Sequence, residues 1–364
     1  MALSVGIVGL PNVGKSTLFN ALTRAAVEAS AYPFCTVEPN VGIVEVPDER
    51  LASLESLLKP ESVVSTQVRF VDIAGLVKGA SQGEGLGNQF LANIRECDAL
   101  VHVVRCFEDE QVAHVDGAVD PVRDVETIDA ELMLADLETA VRGKERVGKL
   151  LRANPRGPEK LELDSLEAAT EALTRGEPLR SVALGKEAGA VLHSYNFLTM
   201  KRVLFLANVG EAYLPDGGEQ PDRLRKLHPD SEVVPVCAQV ESEIAELDSE
   251  DRLTFLQDYG LESTGIARLI LSAHRLLELI SFYTTANEKL QAWQVTSGSS
   301  APQAAGRIHS DMENGFIRAE VASYEHILQA RGMETLRESG RLRVEGRDYV
   351  VQEGDVIRFL FKAK

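Results

Sequence analysis

Short apolar runs recur along the chain, with room for a helix between most neighbours. They read SVGIVGL (4–10), VGIVEV (41–46), VRFVDI (68–73), ALVHVVRC (99–106), RVLFLAN (202–208) and VVPVC (233–237). Near-continuous Val, Ile and Leu in runs this short describes strands covered on both faces, not strands with one wet side. Their alternation with helical stretches predicts an α/β fold around a mostly parallel sheet.

The spacing breaks between Arg105 and Arg202. Over residues 122–152, Val125, Ile128, Leu132 and Ala135 fall three and four apart, which predicts one long helix. NPRGP at 154–158 interrupts it, and a second helical stretch runs to about Thr174. Two helices joined by a short Pro/Gly turn predict an antiparallel hairpin, inserted at about 122–196 between two strands of the sheet. From about Leu277 the texture changes again. ISFYTTA, LQAWQVTSG, RIHSDM, FIRAEV, RLRVEGRDYVV and VIRFLFKAK read as short strands, with one helix-like piece near 324–338. The expected organisation is an α/β domain over 1–277 that carries the hairpin, and a small β-rich α+β module over 278–364.

Composition adds limits. With 364 residues, 44% apolar and 26% charged, the chain reads as ordinary globular protein with more than one core. No uninterrupted apolar stretch approaches the ~18 residues of a membrane span, and MALSVGIVGL lacks the basic start of a signal peptide. Four cysteines without paired metal-ligand spacing fit reduced thiols, so the expected location is the cytoplasm. A net charge of −18 argues against a globally basic nucleic-acid binder. Ser281–Lys364, however, carries equal numbers of basic and acidic side chains. The remainder holds the whole excess, and a local RNA contact stays open.

GLPNVGKST (9–17) follows the first strand and fits the G-x-x-x-x-G-K-[ST] phosphate loop. Gly9 and Gly14 let the backbone curl so that N–H groups around Asn12, Val13, Gly14 and Thr17 converge on phosphate oxygens. The following helix presents its N-terminus to the same anion. Lys15 supplies a point charge, and the Ser16 hydroxyl is placed to ligate Mg²⁺. Thr36, in the loop before the second strand, is a candidate to close over the metal. Asp72 ends the third strand and suits a further Mg²⁺ contact, while the Gly75 N–H can meet the γ-phosphate. Behind it, LVKGASQGEGLGNQ concentrates glycine as a switch segment would.

The residue after the D-x-x-G turn is Leu76, where a Gln would orient attacking water, so hydrolysis is slow or another group acts. His114, beyond the fourth strand, is a candidate to position that water. At the fifth strand the guanine-reading N-K-x-D is replaced by Asn208, Val209, Gly210 and Glu211. Loss of a carboxylate paired to guanine could relax guanine preference by roughly 10²–10⁴. The motif disfavours GTP and permits ATP.

Together GLPNVGKST, PFCTVEPN, DIAGLVKGAS with GEGLGN, the N-x-x-E and the C-terminal module resemble the YchF/Obg-like ATPase family across essentially the whole chain. The resemblance implies an OBG-type G domain with a helical insertion and a C-terminal TGS domain. It implies preference for ATP, slow intrinsic turnover, a hydrophobic residue at Leu76 in place of the catalytic Gln, and His114 as the catalytic residue. It also implies Cys237 and Ala238 as a further nucleotide motif, and association with the ribosome, 70S and chiefly its 50S subunit. Asn12 matches an Asn that related enzymes use to hold K⁺. Arg142, Arg146 and Lys149 share one hairpin face, with Lys144, Arg152, Arg156 and Lys160 near the tip, and form the expected rRNA contact. Arg337, Arg341, Arg343 and Arg347 are a second basic group. The expected molecule is a monomeric, cytoplasmic, Mg²⁺-dependent ATPase that binds ribosomes. Its rivals are an ordinary ribosome-associated GTPase and a ribosome-binding module with incidental hydrolysis.

Overall fold

The structure is a computed structural model that describes residues 3–29, 40–73, 86–115, 117–154, 157–286 and 288–362. Thr36, Gly75, Leu76 and Arg156 lie outside the described residues. The chain forms two compact units, one of residues 1–43 and 69–269, the other of residues 44–68 and 270–364.

In the first unit the strands are β1 (Ser4–Val8), β2 (Val41–Glu45), β3 (Gln67–Asp72), β4 (Ala99–Cys106), β5 (Arg202–Val209) and β6 (Val233–Val236). Their order across the sheet is β2-β3-β1-β4-β5-β6. From β3 to β6 every neighbouring pair is parallel. Every residue of β1 and β4 is buried, as their unbroken apolar character requires of strands covered on both faces. The register sets Ile7 opposite Asp72, Val8 opposite His102, Cys106 opposite Val209 and Asn208 opposite Val236. The carboxyl ends of five strands therefore share one edge, where open α/β sheets bind their ligands.

The inserted hairpin is present, with helices Pro121–Ala153 and Glu159–Thr174. Pro121 starts the first helix where its missing N–H costs nothing. The hairpin has its own apolar seam of Ala140, Val147, Leu166, Ala169, Ala172 and Leu173. Asp136, fully buried, accepts from the Leu198 N–H (2.8 Å), the Thr199 N–H (2.7 Å) and the Thr199 hydroxyl (2.6 Å). That bond set fixes the long helix to the segment leading into β5.

The second unit is a six-stranded sheet in the order 343–345, 316–323, 355–361, 279–286, 289–296, 62–64. Helix Glu49–Leu58 places Leu51 and Leu54 in one core with Tyr283, Leu290 and Val356. Residues 44–68, which the sequence analysis counted with the phosphate-loop domain, thus fold with the C-terminal unit. RIHSDM, expected as a strand, is instead the end of helix Ala301–Ile308 and the start of helix Ser310–Asn314. The helix start is fixed by a capping box in which Gln303 Oε1 accepts from the Ser300 N–H at 2.8 Å. The helical piece near 324–338 is two helices, Tyr324–Ala330 and Met333–Glu338, parted at left-handed Arg331 and at Gly332. Among the described residues no helix is long and apolar enough to cross a membrane.

Candidate nucleotide site

A cavity of about 850 Å³ opens at the carboxyl edge of the first unit's sheet. Residues 10–12 and 14–17 form one wall, and Asn40, Asp72, residues 107–112 in part, Asn208–Glu211 and Cys237–Gln239 complete it. Apart from Asn40, which precedes β2, each group lies at or directly after the end of a different strand, so the register described above assembles the site. Gly14 has φ +90, and a Cβ there would stand 2.3 Å from Asn208 Nδ2. Only glycine fits both the conformation and the space. Leu18 N–H reaches back to Gly14 O at 3.0 Å, so the helix's own hydrogen bonding begins there and the amides before it are the ones a helix N-terminus offers to an anion.

Lys15 is nearly buried, and its ammonium contacts the Asp72 carboxylate. The contact brings the proposed phosphate cation and the proposed metal carboxylate to one spot, with Ser16 on the same wall. Two oxygen donors beside a compensating cation are a donor set suited to Mg²⁺, which P-loop nucleotide domains use in general.

The other end of the cavity is built around Asn208. Its Nδ2 donates to Val13 O at 2.9 Å, and its Oδ1 accepts from the Ala238 N–H at 3.0 Å. The side chain therefore clamps the phosphate loop to the Cys237–Ala238 turn, and acts on any ligand through those two loops. Val209 is buried, and Glu211 begins a short turn beside Tyr213 at the cavity rim. Burial raises the Cys237 thiol pKa, so this side chain is an apolar wall and not a nucleophile.

Comparison with known proteins gives these features a family. A model described as 50S ribosome-binding GTPase matches residues 4–136, and one described as a YchF-GTPase C-terminal protein of unknown function matches 279–362. The "Ribosome-binding ATPase YchF" of Haemophilus influenzae is 50% identical over 99% of both chains. That of Bacillus subtilis is 48% identical over 99% of this chain and 100% of its own. The chain belongs to the YchF family. A solved structure, that of the Schizosaccharomyces pombe YchF GTPase, superposes with a TM-score of 0.89 at 32% identity, covering 98% of this chain and 97% of that one. The fold is accordingly that of a YchF protein: a P-loop nucleotide domain with a sheet-rich C-terminal unit. The names of these relatives divide between ATPase and GTPase.

Of the residues expected at a YchF nucleotide site, Asn12, Gly14, Lys15, Ser16, Thr17, Asp72, Asn208, Val209, Glu211, Cys237 and Ala238 line the cavity. Val13 is buried behind the loop and enters through its carbonyl. Asn12 has φ 64, and its Nδ2 donates to Ala113 O at 3.1 Å, which joins the phosphate loop to the segment bearing His114. His114 itself does not line the cavity. Its Nε2 sits 2.9 Å from Asp124 Oδ2, both side chains almost wholly buried, near the start of the hairpin's first helix. Thr36 and Gly75 lie outside the described residues.

Sequence reasoning missed Arg105. Fully buried, it donates through Nε to Phe107 O (3.1 Å), through Nη1 to Val112 O (2.9 Å) and through Nη2 to Asp109 O (3.3 Å). Its guanidinium also lies 4.6 Å from the centre of the Phe107 ring. A buried cation is tolerated here because loop carbonyls replace its water. In return they shape residues 107–112, which supply Phe107, Glu108, Asp109 and Val112 to the cavity. An Arg in the otherwise apolar run VVRC was the available signal.

Away from this site, Arg142, Arg146 and Lys149 are exposed on the hairpin as expected. Arg142 is paired with Glu138, and Arg146 with Glu162 at 2.9 Å and the Tyr195 hydroxyl at 2.7 Å. The patch is therefore partly neutralised from within.

Proposed function

We propose that the chain is a Mg²⁺-dependent nucleoside triphosphatase that prefers ATP to GTP, turns over slowly and couples its nucleotide state to binding of the ribosome, 70S and 50S. The observation that carries this reading is the cavity whose one end is the phosphate loop with Lys15 and Asp72 in contact, and whose other end is Asn208–Glu211. Relatives similar over 99% of the chain bear the name of a ribosome-binding ATPase, which supports the same reading.

In this proposal the loop amides and Lys15 bind the phosphates, and Asn208 holds the loop in shape through Val13 O. Ser16, Thr36 and Asp72 would hold Mg²⁺, which when bound neutralises charge on the β- and γ-phosphates. Gly75 meets the γ-phosphate. The base lies between residues 107–112 and Val209–Glu211, where backbone groups read the adenine amino group. Glu211, without the Lys and Asp of N-K-x-D around it, offers guanine no ready partner. His114 positions water after it leaves Asp124, and the burial of that pair accounts for slow basal turnover. Potassium stimulation through Asn12 is part of the proposal, to be read as turnover in K⁺ against Na⁺. A cytoplasmic monomer and a TGS role for the C-terminal unit complete it.

The test is equilibrium titration of ATP and GTP analogues with Mg²⁺ present, wild type beside the double variant Glu211→Asp/Val209→Lys. Tighter ATP binding that swings toward GTP in the variant is the expected result. Equal or tighter GTP binding by wild type overturns the base assignment. The seating of His114 on Asp124 favours one second reading, a ribosome-binding module whose hydrolysis is incidental. Turnover stimulated by ribosomes excludes it, and ribosome binding that ignores the nucleotide supports it.

A further inference from the structure

Glu211 is held from behind. Tyr259 donates its hydroxyl to Glu211 Oε1 at 2.5 Å, an interaction between the rim of the base end and a helix far along the chain. Tyr259 closes the helix Ser249–Asp258, with its N–H on Phe255 O at 3.3 Å. Its ring lies 4.8 Å from that of Phe255 and packs on the buried cluster of Cys237, Val240, Ile244, Leu256 and Leu261. The hydroxyl is thus presented from a fixed platform, one member of which, Cys237, is itself a wall of the cavity. Bonding to Glu211 pushes the phenol pKa up to about 12, so Tyr259 remains a donor at any working pH.

A guanine edge offers two adjacent donors, N1–H and the 2-amino group, and a carboxylate matches it only with both oxygens turned to the base. Adenine has no 2-amino group, and its N1 is an acceptor that a carboxylate repels. We propose that Tyr259 is a specificity-determining residue. By retaining one oxygen of Glu211 it withholds the two-oxygen face that guanine needs, and it discriminates against guanine without adding affinity for adenine. The inference rests on the reading of this cavity as an adenine nucleotide site. Tyr259 acts through Glu211 and is a positioning residue.

The experiment measures the dissociation constants of ADP, GDP and pyrophosphate for wild type, Tyr259→Phe, Glu211→Ala and the double variant. Tyr259→Phe should tighten GDP by roughly tenfold, the scale of one charge-assisted hydrogen bond. ADP and pyrophosphate should stay within about twofold, and the same change in the Glu211→Ala background should leave the ADP/GDP ratio where Glu211→Ala put it. If Glu211→Ala moves the ratio and Tyr259→Phe does not, the inference falls and the base reading stands. A ratio that neither variant moves likewise sinks the inference alone, whereas wild type that binds GDP as tightly as ADP removes both. Parallel loss of all three ligands in Tyr259→Phe would make the tyrosine a packing residue only, and overturns the proposal.

Discussion

Asn208 offers a direct test of how the two loops of the site are joined. Replacing it with Ala removes the bonds to Val13 O and from the Ala238 N–H, 2.9 and 3.0 Å long, at a position 5% exposed. Each bond contributes a net ~1 kcal/mol, and each backbone group left without a partner in a buried place adds a cost of ~1–3 kcal/mol. Some relaxation and water entry reduce the sum, so the expected loss is on the order of 2–4 kcal/mol for the first unit. Chemical unfolding followed by a probe in that unit reads it, because the two units need not unfold together. Asn208→Asp separates the two bonds. It keeps an acceptor for Ala238 N–H but sets a carboxylate oxygen against Val13 O, and so should damage the phosphate loop selectively. Its affinity for pyrophosphate should fall by tenfold or more, about 1.4 kcal/mol. If Asn208→Ala unfolds within ~0.5 kcal/mol of wild type and binds pyrophosphate normally, the clamp is not what holds the loop.

Other perturbations follow from the same geometry. His114→Ala should lower kcat by roughly 10²-fold and leave nucleotide affinity unchanged in equilibrium titration; unchanged kcat would remove His114 from the mechanism. His102 is fully buried, and desolvation depresses its pKa to about 4 from an ordinary 6.5; Asp129 opposes the shift, and the positive charge of Arg180 and the neighbouring His228 add to it. A folded-state pKa below the unfolded one means that the unfolded chain binds the extra proton. Stability is then full above about pH 6.5 and falls as pH drops toward 4, by about 3 kcal/mol at the low end. His102→Gln should flatten the urea midpoint across that window. Arg146→Glu with Lys149→Glu should weaken co-sedimentation with 50S and 70S particles, and undiminished co-sedimentation would move the rRNA contact off this hairpin face.

The contrast between what the sequence made legible and what it hid has a physical basis. Strands β1, β4, β5 and β6 and the hairpin were readable because burial on both faces of a sheet, and along one face of a helix, writes itself into local apolar periodicity; β2 and β3 are apolar runs that the structure buries only in part. The phosphate loop was readable because Gly14 answers a steric demand that no other residue meets. Residues 44–68 were not readable: Leu51 and Leu54 show that a helix buries one side, but nothing local says that its partners are Tyr283 and Val356. The strand assigned to RIHSDM erred because the capping signal Ser300-x-x-Gln303 that starts its helix lies upstream of that run, eight residues before Ile308. The site divides along the same line. Lys15, Asp72, Asn208 and Glu211 belong to short motifs, whereas Arg105 acts on the carbonyls of the loop that follows it and Tyr259 acts across a separation of 48 residues. Neither supplies an atom that a motif requires: Arg105 shapes residues 107–112 of the cavity wall, and Tyr259 holds Glu211. On the proposed reading, base selectivity depends on Asn208–Glu211 together with the framework that holds Glu211, and a substitution confined to the four motif residues changes only part of what decides it.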